Sequence, residues 1–186
     1  MESEQNILDE CRKGNREAFR ELYRRHSSVM LGVCARYSDN LADAEDILQE
    51  GFIKVFKKIG TFRGKGSFEG WMKRIMINTA INHYHSNLKH HYHLNIDDLY
   101  EDVPSDNEQI STETPIPKDV IMKHIQEMPE GYRFVFNMFV FEGFSHADIA
   151  KNLGISVNTS KTQLFKARLF LQKKLKPYLQ QNEIRP

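Results

Sequence analysis

Apolar residues recur three and four positions apart in the first and last thirds of this 186-residue chain, and no other feature constrains its fold more. An α-helix, with about 3.6 residues per turn, brings such positions onto one face, which packs against the rest of the protein. No stretch alternates polar and apolar residues for long enough to predict a sheet. We therefore predict an all-α protein. In the first long helix, the residues predicted to be buried are Phe19, Leu22, Tyr23, His26, Val29, Met30 and Val33.

Helix-starting residues divide the chain further. Asn15, Asn40 and Ser67 are predicted N-caps, because their side-chain oxygens can accept hydrogen bonds from the first turn of a helix. The helix after Ser67 is predicted to extend to about Asn87, since nothing before that residue breaks it. Further helices are predicted at about 118–127, 130–141, 146–152 and 156–175.

The net charge of +1 conceals blocks of opposite sign. Residues 54–93 carry eight Lys or Arg against the single Glu69, and residues 151–176 carry seven with no acid. Two basic tracts on separate structural units predict two contacts with a polyanion, because neutralising phosphates releases counterions. The alternative is a pair of solvated helix faces.

The segment between the two basic tracts is acidic. Residues 95–119 hold eight Asp or Glu against the single Lys118, together with three prolines. This composition is typical of a flexible linker. We therefore predict two small helical domains, residues 1–94 and 118–182, joined by an acidic linker of residues 95–117.

The sequence does not indicate a membrane protein, a disulfide-rich protein or an enzyme. No run approaches the roughly 20 apolar residues of a membrane span, and no signal peptide precedes the first helix, so we expect a cytoplasmic protein without membrane insertion. Cys11 and Cys34 are predicted to be reduced packing residues, because they form no CxxC pair. The sequence contains no nucleophile motif, phosphate-binding glycine loop or HExxH, and we expect neither catalysis nor a cofactor.

A cluster of five histidines raises the question of a metal site. The i, i+2 spacing of His83 and His85 directs them to different sides of a helix, and no Asp, Glu or Cys lies between Trp71 and Asn95 to complete a ligand set. We therefore expect no metal. We interpret the cluster as a weakly basic extension toward phosphates. Its members are His83, His85, His90, His91 and His93.

The last two predicted helices have the pattern of a helix-turn-helix unit. Ser145 and Asp148 form a capping box, Gly154 ends the short helix, and the second helix is predicted to end before Pro177. In such units the second helix enters the major groove of DNA. One face of it is predicted to pack on the domain, namely Val157, Ser160, Leu164, Ala167 and Leu171. The opposite face carries Asn158, Thr162, Phe165 and Lys166, with Lys161 on the flank. The alternative is a plain helical hairpin with a basic surface.

The helix after Asn40 also has two distinct faces. Its predicted core face consists of Ala44, Ile47, Leu48, Gly51, Val55 and Ile59. The opposite side, which we name the docking face, consists of Asp46, Gln49, Glu50 and Ile53. Ile53 suggests a partner there, although single exposed apolar residues are common.

A stripe on the helix after Ser67 has the chemistry needed to bind unpaired bases. It consists of Trp71, Arg74, Asn78 and Asn82. Aromatic rings stack on bases, while Asn and Arg can bond to exposed base edges. Trp71 could equally belong to the core.

The order of these motifs resembles the extracytoplasmic-function (ECF) sigma factors of bacterial RNA polymerase, the minimal group of the sigma-70 family. The resemblance covers nearly the whole chain, because the motifs follow one another in family order and at family spacing. They are Asp43-Ala-Glu-Asp-Ile-Leu-Gln-Glu-Gly-Phe52, Phe62-Arg-Gly, Ser67-Phe-x-x-Trp71, Asn78-Thr79, Leu153-Gly-Ile-Ser, Thr159-x-Lys161 and Lys166-Ala-Arg168.

The resemblance implies a role for each surface. The first helix motif docks on a coiled coil of the polymerase's largest subunit, which implicates Asp46, Gln49, Glu50, Phe52, Ile53 and Phe56. The following loop and helix read the melted minus-10 promoter element through what we name the minus-10 face: Lys65, Ser67, Trp71, Arg74, Asn78 and Asn82. The last helix reads the duplex minus-35 element through the minus-35 face: Asn158, Lys161, Thr162, Phe165 and Lys166.

The resemblance also implies partners. Core RNA polymerase would present both domains to promoter DNA about two helical turns apart, with the linker threading its RNA-exit side, and an anti-sigma factor would hide the free chain. Two positions depart from the family pattern. Ser160 replaces the usual Val, which is expected to loosen packing, and Gln163 replaces a common basic residue. Two other functions stay open: an interaction module that only titrates an anti-sigma factor, and a dimeric operator-binding regulator.

Overall fold

The computed structural model describes residues 3–91 and 116–180, which form helices joined by short turns. No strand occurs in these two segments, as predicted. The predicted linker lies outside the described residues except for Ile116 and Pro117. The helices are α1 (Glu4–Arg12), α2 (Arg16–Ala35), α3 (Leu41–Lys58), α4 (Phe68–His91), α5 (Lys118–Gln126), α6 (Glu130–Val140), α7 (His146–Leu153) and α8 (Val157–Gln180), with a 3-10 turn at Ile59–Thr61.

Helices α1 to α4 pack against one another as the first domain. The predicted N-caps are confirmed: the side chains of Asn15 and Asn40 accept backbone hydrogen bonds at the starts of α2 and α3, and Ser67 Oγ accepts from the Gly70 N–H at 3.0 Å. Helix α4 continues to His91, beyond the predicted end at Asn87. The predicted core face of α3 is confirmed, because every one of its residues is buried.

The prediction for α2 was wrong at two positions. Leu22, Met30 and Val33 are buried, but Tyr23 is 41% exposed and Val29 45% exposed. Both lie at the edges of the apolar stripe, which is wider than the surface that neighbouring helices cover. Helix α1 was not predicted, because its nine residues offer few apolar positions for a periodicity argument.

A close approach between α3 and α4 depends on Gly51. A Cβ built at this residue would lie 2.2 Å from Sδ of Met76, a fully buried side chain of α4. Helical Gly32 on α2 is the opposite case, because nothing lies within 4 Å of its Cβ position. Replacing each glycine with alanine therefore distinguishes two effects of an added methyl group: its packing cost at Gly51 and its benefit to helix stability at Gly32.

We expect Gly51→Ala to lower the free energy of unfolding by about 1–3 kcal/mol, because the methyl group overpacks the core at Met76. The matched change Gly32→Ala should raise it by about 0.5–1 kcal/mol, since alanine favours the helix. Chemical denaturation followed by circular dichroism measures both values. Equal effects of the two changes would show that α3 and α4 do not pack this closely.

Helices α5 to α8 form the second domain, in which α6 and α7 pack against α8. The predicted capping box is confirmed, since Ser145 Oγ accepts from the Asp148 N–H at 3.1 Å and the Asp148 carboxylate accepts from the Ser145 N–H at 3.3 Å. Gly154 ends α7 in the left-handed region, with φ of 69°. None of the helices in the described segments is long and apolar enough to span a bilayer.

Two predictions for α8 were wrong. The helix does not end before Pro177 but continues through it to Gln180. Pro177 is exposed, so water can bind the carbonyl that loses its helical partner. Val157, assigned to the packing face, is 41% exposed, because it lies in the first turn beyond the reach of the core.

Candidate functional site

The docking face on α3 is open to solvent. Asp46 and Gln49 are exposed, and Ile53 is 52% exposed although the opposite side of the helix is fully buried. Glu50 is partly covered by two neighbouring side chains: its carboxylate lies 2.7 Å from Lys54 Nζ and 2.5 Å from His83 Nε2. Hydrogen bonds from Lys54 and His83 lower the pKa of Glu50, which keeps it ionised.

Phe52 does not lie on this surface. It is 2% exposed, and its ring packs against Tyr23 at 4.7 Å and Phe56 at 5.7 Å between centroids. The sequence analysis predicted that Phe52 contacts the polymerase directly, and this prediction is corrected. Phe52, like its buried neighbour Gly51, faces the core of the protein. Phe56 is half-buried against Phe19, with ring centroids 4.7 Å apart.

Sequence reasoning missed part of the same surface on α2. Tyr23, Ser27 and Leu31 line a cleft of about 230 Å³ with Leu48 and Gln49 of α3. The periodicity argument assigned Tyr23 to the core because of its spacing from Phe19. The hydroxyl group of Tyr23 is the signal that could have placed this residue at the boundary between core and surface. Tyrosine rings commonly bury their apolar end and expose their polar end.

The minus-10 face continues from the 62–67 loop onto α4. Lys65 and Ser67 are exposed on the loop, and Gly64 and Gly66 both have positive φ, which permits its tight turn. The Arg12 guanidinium also donates a hydrogen bond to the Phe62 carbonyl at 3.0 Å, which ties the loop to α1.

Trp71 packs against the apolar core with part of its surface exposed. It is half-buried, and its ring lies 5.4 Å from Phe68 and 5.6 Å from Phe62 between centroids. Arg74, Asn78 and Asn82 are all exposed on successive turns. The packed aromatic group thus fixes the indole beside a row of polar side chains.

The minus-35 face lies on the first three turns of α8. Asn158, Lys161 and Thr162 are exposed, Lys166 is half-buried, and Phe165 is 41% exposed. Thr162 Oγ1 donates to the Asn158 carbonyl at 3.0 Å. A phenylalanine held outward beside lysines can contact a thymine methyl group while the lysines contact phosphates.

The two departures from the family pattern have structural consequences. Ser160 is fully buried, and its hydroxyl lies 2.9 Å from Nδ1 of His146, whose ring stacks on Phe139 at 4.8 Å. The expectation of looser packing was therefore wrong, because a hydrogen-bonded pair fills this site. Gln163 is half-buried and its amide lies against Gly131.

The structure describes the side chains of only two members of the histidine cluster. His83 Nε2 lies 2.5 Å from the Glu50 carboxylate and His85 Nε2 lies 2.8 Å from the Asn152 carbonyl, so both side chains make contacts within the protein. The side chains of His90, His91 and His93 lie outside the described residues. Within the described residues, no three His, Cys, Asp or Glu side chains gather as a metal site would require.

Comparison with known proteins agrees with this architecture. Residues 22–89 match the family model for sigma-70 region 2, and residues 118–171 match that for sigma-70, region 4. The chain is 29% identical over 189 residues to the RNA polymerase sigma-H factor of Pseudomonas aeruginosa, covering 97% of this chain and 98% of that protein. It is 28% identical over 190 residues to the ECF RNA polymerase sigma-E factor of Haemophilus influenzae, covering 95% and 97%.

A solved structure shares the fold. The sigma factor RpoE from Bartonella quintana, crystallised in complex with the anti-sigma factor NepR, superposes with a TM-score of 0.50 at 21% identity, covering 85% of this chain and 96% of that one. The two regions occur in order and the relatives match from end to end. The chain therefore belongs to the sigma-70 family of RNA polymerase sigma factors, in its extracytoplasmic-function group.

Proposed function

We propose that this sigma factor divides promoter-specific initiation among three surfaces. The docking face binds core RNA polymerase, the minus-10 face reads the melted element, and the minus-35 face reads the duplex element. One observation carries the proposal: on α3, α4 and α8, these faces are exposed while other faces of the same helices are buried in the apolar core. The chain selects the promoter in the cytoplasm and contributes no catalysis of its own.

Polymerase docking is proposed to centre on Ile53. An exposed apolar side chain surrounded by Asp46, Gln49 and Glu50 has the layout of an interface in which a polar rim excludes water from an apolar anchor. The coiled coil of the largest subunit would cover Ile53, and Phe52 would support the face from beneath. Tyr23 extends the same surface onto α2.

Promoter melting is proposed to have two steps. An extruded base first stacks on an aromatic ring, and polar side chains then bind the edges of the bases. Trp71 is fixed by Phe62 and Phe68, so an extruded base can stack on its open part without reordering the ring. Arg74, Asn78 and Asn82 then offer donors and acceptors to base edges, while Lys65 and Ser67 lie where phosphates would follow the loop.

Recognition of the minus-35 element is proposed to combine phosphate and base contacts. Lys161 and Lys166 neutralise phosphates, and Phe165 contacts base methyl groups from within the major groove. Asn158 and Thr162, at the start of α8, face the same groove. We further propose a cognate anti-sigma factor that covers these faces, because the homologous RpoE is bound by such a protein.

Asn78→Ala should lower the yield of open promoter complexes about 10-fold, because it removes base-edge hydrogen bonds worth roughly 1–3 kcal/mol. Asn87→Ala is the matched control, since Asn87 is also exposed on α4 but lies nine residues away, on the opposite side of the helix. Permanganate footprinting of holoenzyme on a promoter measures both. Equal yields from the two variants would remove Asn78 from the minus-10 face.

A further inference from the structure

Ser160 holds the start of α8 against the rest of the second domain. In the stretch 154–163, all of which the structure describes, it is the one buried residue, and it has no exposed surface. Ile155 and Gln163 are half-buried at the two ends of this stretch, and every other residue from 156 to 162 is exposed. The position of this end of the helix therefore depends strongly on what Ser160 contacts.

The side chain that Ser160 contacts is that of His146, the first residue of α7. The Ser160 hydroxyl lies 2.9 Å from His146 Nδ1, which is hydrogen-bond distance. A hydroxyl can donate or accept, so the bond can form with either tautomer of the ring. Leaving a buried hydroxyl without a partner is unfavourable, and the bond therefore favours the one placement of α8 on α7 that satisfies it.

His146 is itself held from two sides. The capping box of Ser145 and Asp148 fixes the backbone of the first turn of α7, in which His146 lies. The imidazole ring stacks on Phe139 of α6, with centroids 4.8 Å apart and planes 25° apart, and Phe139 packs against the apolar core. The position of Nδ1 is therefore set by α6 and α7, and α8 is placed against it.

Ser160 also lies directly behind two residues that are proposed to read bases. Asn158 precedes it by two positions and Thr162 follows it by two, and at about 100° per residue both lie nearly opposite Ser160 on the helix. Thr162 Oγ1 donates to the Asn158 carbonyl at 3.0 Å, which ties the two residues together. Any rotation or shift of α8 at Ser160 therefore moves both residues.

We infer that the hydrogen bond between His146 and Ser160 positions the minus-35 face, so that these two residues influence promoter choice without contacting DNA. The inference rests on the proposed function of that face. Hydrogen bonds to base edges weaken steeply when donor and acceptor are misaligned, whereas the flexible stem of a lysine can follow a phosphate. Loss of the bond should therefore reduce discrimination between bases more than it reduces attraction to DNA in general.

Two substitutions of nearly the same shape test the inference. Ser160→Thr and Ser160→Val each add a branch to the same buried side chain, but only threonine keeps a hydroxyl for His146. Any cost of overpacking is therefore common to the two variants, and the hydroxyl is what differs. Far-UV circular dichroism of the full chain establishes that both variants are folded at the temperature of the measurement.

Base preference is measured with holoenzyme that contains each full-length variant. The probe is a promoter identified by run-off transcription, with its minus-35 positions randomised, and the bound duplexes are sequenced. Filter binding to a duplex of unrelated sequence gives the general affinity for DNA in parallel. A change in preference at constant general affinity reports on the placement of α8, because a loss of fold would lower both.

We expect Ser160→Val to lower the preference for the selected minus-35 sequence over single base-pair changes about 10-fold, the order of discrimination that one good base contact provides. Ser160→Thr should keep most of this preference. General affinity should be similar in all chains, because it depends on charge. His146→Leu should reproduce the loss, and combining it with Ser160→Val should add little, since both changes remove the same bond.

Equal base preference in the threonine and valine variants would overturn the inference and leave the proposed function intact. Parallel losses of preference and of general affinity would also overturn it, as would additive losses from His146→Leu and Ser160→Val. A different result marks failure of the proposed function: the unchanged holoenzyme would then show no base preference at the minus-35 positions, and the inference would fall with it.

Discussion

Ile53→Asp should lower the affinity for core RNA polymerase by at least about 100-fold. The change removes an apolar side chain worth roughly 1.5–3 kcal/mol on burial and places a charge where the partner would exclude water. A difference of about 2.7 kcal/mol already corresponds to 100-fold in binding. Because Ile53 is 52% exposed in the free chain, the folded first domain should tolerate the charge. Titration of core polymerase into labelled chain measures the affinity.

Leu41→Asp is the matched control for this result. Leu41 is 58% exposed on the same helix, but it lies in the first turn and away from the docking face. A new carboxylate at this end of α3 is favoured by the helix dipole, so neither folding nor polymerase affinity should fall. Equal losses in the two variants would show that added charge on α3, and not the docking face, is responsible.

Lys161→Glu should weaken holoenzyme binding to a promoter by roughly 30-fold at physiological salt, because it turns one phosphate contact into a repulsion. The loss should shrink as salt is raised, and the slope of log affinity against log salt should become shallower by about two. Lys161 is exposed within the minus-35 face, which makes a large structural effect unexpected. Filter binding of labelled promoter DNA at several salt concentrations gives the slope.

The control for this variant is Lys176→Glu. Lys176 is also exposed on α8, but it lies 15 residues later, beyond the helix-turn-helix contact with the groove. The affinity of the Lys176→Glu variant for promoter DNA, and the slope of that affinity against salt, should stay close to those of the unchanged chain. If both variants lose affinity equally, the basic tract acts through general attraction and not through a defined minus-35 face.

Local sequence signals predicted most helix boundaries of this protein. The caps at Asn15, Asn40 and Ser145 depend on hydrogen bonds within one turn, which short polar side chains specify on their own. The core face of α3 was also predictable, because its apolar periodicity is strong and nearly every turn contributes. The exposed stripes of α3, α4 and α8 were then predicted as the faces of these helices that lie outside their apolar core faces.

The errors arose where distant residues decide the environment. Phe52 is buried because Tyr23 of α2 covers its ring, and no neighbour in the sequence signals that contact. His85 binds a carbonyl 67 residues away, and Asn137 caps a helix that ends about 100 residues earlier. Such long-range contacts leave no periodic pattern, so the packing of the two domains could not be predicted from the sequence.

Run-off transcription tests most directly whether this chain directs core RNA polymerase to promoters. Core polymerase is incubated with and without the protein on a pool of upstream regions from its own genome. We predict discrete transcripts that require the protein and are lost with Ile53→Asp or Lys161→Glu. The contradicting result would be an absence of transcripts while the protein binds duplex DNA as a dimer, which would indicate an operator-binding regulator.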